Sequence, residues 1–71
     1  MKYLVVVEKS ENGYGAYVPD LPGCIAASET RGEVVVLIQE AIEFHLEGLK
    51  ESGEPVPPAT TQSEIVEVNA A

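Results

Sequence analysis

The stretch G-A-Y-V-P-D-L-P-G-C-I-A-A-S-E-T, Gly15–Thr30, decides how this chain folds. It holds two β-like runs, Ala16–Val18 and Cys24–Ala27, joined by Pro19-Asp20-Leu21-Pro22-Gly23. Each proline fixes its own φ and pushes the residue before it into an extended conformation. Gly23 tolerates a backbone angle that strains other residues. The five residues are therefore expected to form a stiff structural corner. The residues before the corner are expected to pair as a hairpin, and those after it lead at once into the only long helical pattern in the chain.

Upstream, Lys2–Lys9 (K-Y-L-V-V-V-E-K) is rich in β-branched and aromatic residues and predicts a first strand over about 2–9. Tyr3, Val5 and Val7 share one face, and Leu4, Val6 and Glu8 the other. Both faces are largely apolar, as for an inner strand or one covered on both sides. Ser10-Glu11-Asn12-Gly13 is a turn, with Asn-Gly as the hairpin signal. The second strand is expected over about 14–18, with Tyr14, Ala16 and Val18 on one face, and the third over about 23–28.

Downstream, the helix is expected over about 31–52. Thr30 and Glu33 have capping-box spacing: the threonine oxygen takes the Glu33 amide, and the glutamate reaches back. Gly53 and Pro55 stop the helix. The apolar face is centred near His45 and contains Val34, Leu37, Ile38, Ala41, Ile42 and Leu49, with Val35, Phe44 and Leu46 on its flanks. That arc is wider than one sheet needs, so Phe44 and His45 are expected at a contact between subunits. The Pro/Thr-rich run over about 54–63 reads as an extended linker. Glu64–Asn69 (E-I-V-E-V-N) reads as a short last strand that pairs either at home or with a neighbouring subunit, which adds Ile65 and Val66 to the expected contact.

Composition bounds the function. Seventy-one residues make one domain, 1–71. A chain of that size hides on the order of 60% of its surface and gains from a disulfide, a metal or oligomerisation. Cys24 is the single cysteine and His45 the single histidine. Neither a disulfide nor a Cys/His metal site is expected, no cofactor is expected, and a homo-oligomer is. Four basic against twelve acidic residues, net −8, disfavour nucleic-acid binding and suit a basic partner. No segment reads as a membrane span or a signal peptide, so a cytoplasmic protein is the default.

No constellation for catalysis stands out, and the chain is not expected to be an enzyme. Cys24 beside a corner and His45 in mid-helix read as a small core cysteine and a partly buried histidine. The second reading for His45 is a pH-sensing group at an interface. Asp20 is the one acid in a shaped loop; it bonds either the amides of its own turn or a basic partner. Glu40, Glu43, Glu47 and Glu51 form an acidic helix face. The Glu43–Glu47 and Glu47–Glu51 pairs are like charges four apart, which a helix does not favour by itself. Asp20, Glu40, Glu43 and Glu47 are accordingly the candidates for contact with a basic partner.

Taken together, G-Y-G-A-Y-V-P-D-L-P-G-C-I-A (Gly13–Ala26), Thr30, E-A-I-E-F-H-L-E-G-L (Glu40–Leu49), Gly53 and Pro55 resemble the HicB-like antitoxin family. The likeness runs from Lys2 to about Pro57. It implies an α+β fold of β-β-β-α-β order, related to part of ribonuclease H, with the helix on one face of an antiparallel sheet, and it implies dimers or tetramers. It also implies a partner: a small basic HicA-like toxin that cleaves messenger RNA. Two departures stand out. Family members often carry a C-terminal DNA-binding module, for which 71 residues leave no room. The helix also begins Arg31-Gly32-Glu33-Val34-Val35-Val36, where a Glu-Glu-Ala-like start is usual; glycine and β-branched residues weaken those turns. The alternative reading is an orphan oligomeric domain with no toxin, structural or regulatory, with a small ligand in a groove between subunits.

Overall fold

The computed structural model describes residues 1–70. Three strands, β1 (Val6–Ser10), β2 (Gly13–Tyr17) and β3 (Ile25–Ser28), form an antiparallel meander in the order β1-β2-β3, and one helix, α1 (Arg31–Glu51), comes after them. The α+β class and the sequence of three strands then a helix are as expected. The helix lies across β3 and β2 and only touches β1.

The corner is built from two consecutive turns. The Leu21 amide donates to the Val18 carbonyl (3.0 Å), and the Cys24 amide to the Leu21 carbonyl (3.1 Å). Each turn has proline at its second position, where φ near −65° is already required. Gly23 holds φ 85° at the third position of the second turn, the angle of a type II turn. The Val18 amide closes the corner onto the Cys24 carbonyl (3.2 Å). This geometry drives Leu21 inward until none of it is exposed, beside Ala16, Val18, Cys24, Val34 and Ile38. The corner is thus part of the core as well as a change of direction. Burial among these apolar neighbours pushes the Cys24 thiol above its usual pKa.

The same closure explains why β1 is shorter at its start than the sequence suggests. Val6 pairs with Tyr17, the last residue of β2. Beyond it the Val18 amide is used inside the corner and Pro19 has none, so residues 2–5 run on without a ladder. Tyr3 is held another way: its hydroxyl donates to the Pro57 carbonyl (2.6 Å). The hairpin loop also differs from the expected Asn-Gly turn. Ser10 pairs with Gly13, which leaves Glu11 and Asn12 as the loop, and neither takes positive φ. Gly13 is required for a different reason: a Cβ there would run into the Ser28 carbonyl oxygen of β3.

Helix α1 starts as the capping box predicts. The Glu33 amide donates to Thr30 Oγ1 (3.1 Å), while the Thr30 hydroxyl donates to Glu33 Oε1 (3.0 Å), so the glutamate takes the hydroxyl in place of the backbone amide. Burial of Val34 adds what the β-branched first turns lack in propensity. The end is a Schellman motif, with the Glu54 amide on the Leu49 carbonyl (2.9 Å), the Gly53 amide on the Lys50 carbonyl (3.2 Å), and Gly53 at φ 71°.

The last strand expected over 64–69 does not form within this chain. Those residues are exposed, and no described strand of the chain lies beside them. A strand exists only with a neighbour that shares its amides. The radius of gyration, 14.3 Å, exceeds the roughly 11 Å of a compact globule of this length. The longest extent is 52 Å against 27 and 16 Å.

Candidate partner-binding surface

Three surfaces carry the residues singled out by the sequence. The first is the outer side of α1. Val34 and Ile38 are buried and Ala41, Ile42 and Leu46 pack against the core, which turns Glu40, Glu43, Glu47 and Glu51 to solvent. One turn from both Glu40 and Glu47 stands Phe44, 80% exposed. Phe44, Glu47, Gly48 and Glu51 enclose a shallow hollow, with Gly48 leaving one wall low. A lone aromatic ring ringed by carboxylates is an apolar anchor inside a negative field. Leu37, two turns before it, is 40% exposed and extends the apolar line. Glu43 is separate: it lines a second hollow with Met1, Lys2, Tyr3, Gln39, Ile42 and Leu46. His45 is half-buried on the inner side of the helix.

The second surface is the corner. The Asp20 carboxylate is occupied by the chain's own tail. Oδ2 accepts from the backbone amides of Thr60 (3.0 Å) and Thr61 (2.9 Å), and Oδ1 from the hydroxyls of Thr61 (2.6 Å) and Thr60 (3.4 Å). This aspartate bonds amides forty residues away and not those of its own turn. The Thr61 hydroxyl, then the Thr61 amide, with Thr60 behind them, hold the carboxyl below its usual value of 3.8. A depressed carboxyl contributes to the fold above the unfolded-state pKa. That contribution disappears as pH falls through the lower folded value. The clasp should therefore hold at neutral pH and open only in acid, as pH falls through the lowered folded value. In nitrogen–proton NMR spectra, the Thr60 and Thr61 amide peaks of Asp20→Ala at neutral pH should match those of the natural chain in acid. Unchanged Thr61 peaks in Asp20→Ala would rule the clasp out.

Nothing in the sequence signals this clasp: the threonine pair sits in a run that reads as a linker. Leu21 was legible as part of a corner, and its burial was not.

The third surface is the uncovered face of the sheet. Val6, Tyr17 and Ile25 stand opposite one another across the three strands, with Ile25 71% exposed. The sequence marked both faces of the first strand as apolar, and α1 covers one of them. Among the described residues no three of His, Cys, Asp and Glu converge to hold a metal ion, and no helix is long and apolar enough to cross a membrane.

Residues 3–70 match the family described as HicB-like antitoxin of bacterial toxin-antitoxin system. Among relatives, a 14.9 kDa protein from the rep-hol intergenic region of Haemophilus phage HP1 is 44% identical over 57 residues, covering 80% of this chain and 43% of the relative. Antitoxin HicB 2 of Photorhabdus laumondii subsp. laumondii is 31% identical over 72 residues, covering 100% of this chain and 52% of the relative. The chain thus spans about half the length of these two proteins. Among solved structures, a chain of a HicA3 and HicB3 toxin-antitoxin complex superposes with TM-score 0.71 at 32% identity, over 83% of this chain and 70% of that one. The family match takes in the meander, the two-turn corner and the capped helix alike, and this chain belongs to the HicB-like antitoxin family.

Proposed function

We propose that the chain is an antitoxin-type interaction module. It assembles with copies of itself and neutralises a small, basic, HicA-like ribonuclease in the cytoplasm by covering it, with no catalysis of its own. The observation that carries this reading is the superposition on a chain from a HicA3 and HicB3 complex. The chain's own physics supports it: net −8, an acidic outer helix face, and an exposed Phe44 inside that face. Long-range attraction would speed encounter with a basic partner, and the aromatic ring would then be buried on contact. Glu40 and Glu47, which flank Phe44, are assigned to this contact. Asp20 is assigned to the tail, and Glu43 to the side of the helix facing Lys2.

Co-expression with the small basic protein encoded beside it tests the reading. A complex should copurify, and growth arrest by that protein alone should be relieved. If the neighbouring protein arrests growth and this chain neither binds it nor restores growth, the antitoxin assignment fails.

A further inference from the structure

The acidic tail, Glu64–Asn69, has strand patterning and no strand partner. Ile65 is 97% exposed, and Val66 and Val68 are exposed as well. The Asp20 clasp holds Thr60 and Thr61 at the corner, so the residues beyond Thr61 leave the globule already directed. A free edge is also present. β1 and β3 are the two edge strands of the sheet, and no ladder occupies the outer side of β1. Because α1 sits over β2 and β3, the side of the helix facing β1 is open. Val5, Val7, Val35, Ile38 and Ile42 line a groove of about 350 Å³ there, with Arg31 at its rim.

Charge matches the two. The chain has four cationic residues, Lys2, Lys9, Arg31 and Lys50. One of them, Arg31, lines the groove, and Lys9 lies within β1 next to Glu8, while Lys2 lines the neighbouring hollow with Glu43. Glu64 and Glu67 bracket Ile65 and Val66, and Val68 follows Glu67. Alternation suits the slot too, since one side of an added strand faces the helix flank and the other lies beside Leu4 and Val6 on the open face.

We infer that the tail of one copy adds as a fourth strand to the β1 edge of a second copy, with Val66 and Val68 in the Val5–Val35–Ile42 groove. This rests on the self-assembly part of the proposed function and specifies it. The exchange covers an edge that would otherwise recruit other chains. It also supplies apolar burial that a chain of this size lacks.

The test compares the full chain with a variant ending at Gln62. The variant keeps the Asp20 clasp and removes only residues that make no hydrogen bond within the chain among those described. By sedimentation equilibrium the full chain should weigh at least twice its 7.6 kDa, and the variant should fall to a single chain with an unchanged far-ultraviolet spectrum. A full-length Val66→Asp variant should fall likewise. A synthetic peptide of residues 62–70, added to the shortened variant, should shift the amide peaks of Val5–Ser10 and leave those of Glu40–Glu51 in place. If the shortened variant remains oligomeric, self-assembly stands and the tail exchange is overturned. A full chain that sediments as a monomer overturns both. Peptide shifts confined to α1 overturn the assignment to β1.

Discussion

Leu21→Ala should remove most of the stability of this domain. Leu21 is completely buried, and it reaches the core only because two proline-led turns deliver it there. Truncating a buried leucine costs about 2–5 kcal/mol, the sum of lost transfer energy and a cavity the surroundings fill only partly. The surroundings here are poorly placed to collapse. Val18 and Cys24 are tied by the turn hydrogen bonds, and Val34 and Ile38 are set by the helix. A single core below about 70–80 residues rarely provides more than about 3–5 kcal/mol in total. Urea denaturation monitored by circular dichroism should therefore show the midpoint falling most of the way to zero, or no folded baseline. Oligomerisation would add stability by mass action, so the comparison belongs at one fixed protein concentration. A loss below about 1 kcal/mol would mean that the corner repacks without Leu21 and is not a core element.

Phe44 is the opposite case. Phe44→Ala should leave the fold intact and abolish most partner binding. The side chain is 80% exposed on the helix, and alanine is the better helix former, so stability should change by no more than about 0.5 kcal/mol. A central aromatic anchor at an interface typically contributes about 2–4 kcal/mol. That corresponds to a loss of roughly 30- to 1000-fold in affinity for the proposed basic partner. Glu40→Lys with Glu47→Lys should act on a different quantity. Removing the negative field around the ring should mainly slow association and reduce its salt dependence. Titration calorimetry and stopped-flow association with the cognate basic protein separate the two effects. Full affinity in Phe44→Ala would move the partner to another surface, of which the Val6–Tyr17–Ile25 row on the uncovered face of the sheet is the next apolar candidate.

Local chemistry was readable wherever a residue acts on its own backbone neighbourhood. Thr30 and Glu33 cap the helix three residues apart, and Gly53 ends it. Pro19, Pro22 and Gly23 set turn angles that no partner has to enforce. The alternation put Tyr14, Ala16 and Val18 on one face, because a pleated strand separates its faces without outside help, and packing made that face the buried one. The hairpin was found, and Ser10-Glu11-Asn12-Gly13 is its turn, though without the positive φ that Asn-Gly suggested at Asn12. Asn-Gly is a turn signal for several reasons, and contact of Gly13 with β3 proved to be the operative one.

Long-range pairings could not be read in the same way. A carboxylate at position 20 and hydroxyls and amides at 60 and 61 carry no spacing rule. Their meeting depends on the helix running back along the sheet and returning the tail to the corner. Periodicity placed Val34 and Ile38 on the apolar face of α1, as packing confirms, but only packing shows that Leu37, grouped with them, is 40% exposed and that Phe44 on the flank faces out. Glu64–Asn69 marks the limit most clearly. Its alternation specifies a strand, and a strand is a relation between two chain segments. By itself the sequence determined the corner, the caps, the three-strand-and-helix order and the family. Tertiary structure decided that Leu21 is core, that Asp20 holds the tail, and that the β1 edge is left open, because each of these depends on which distant residues packing places side by side.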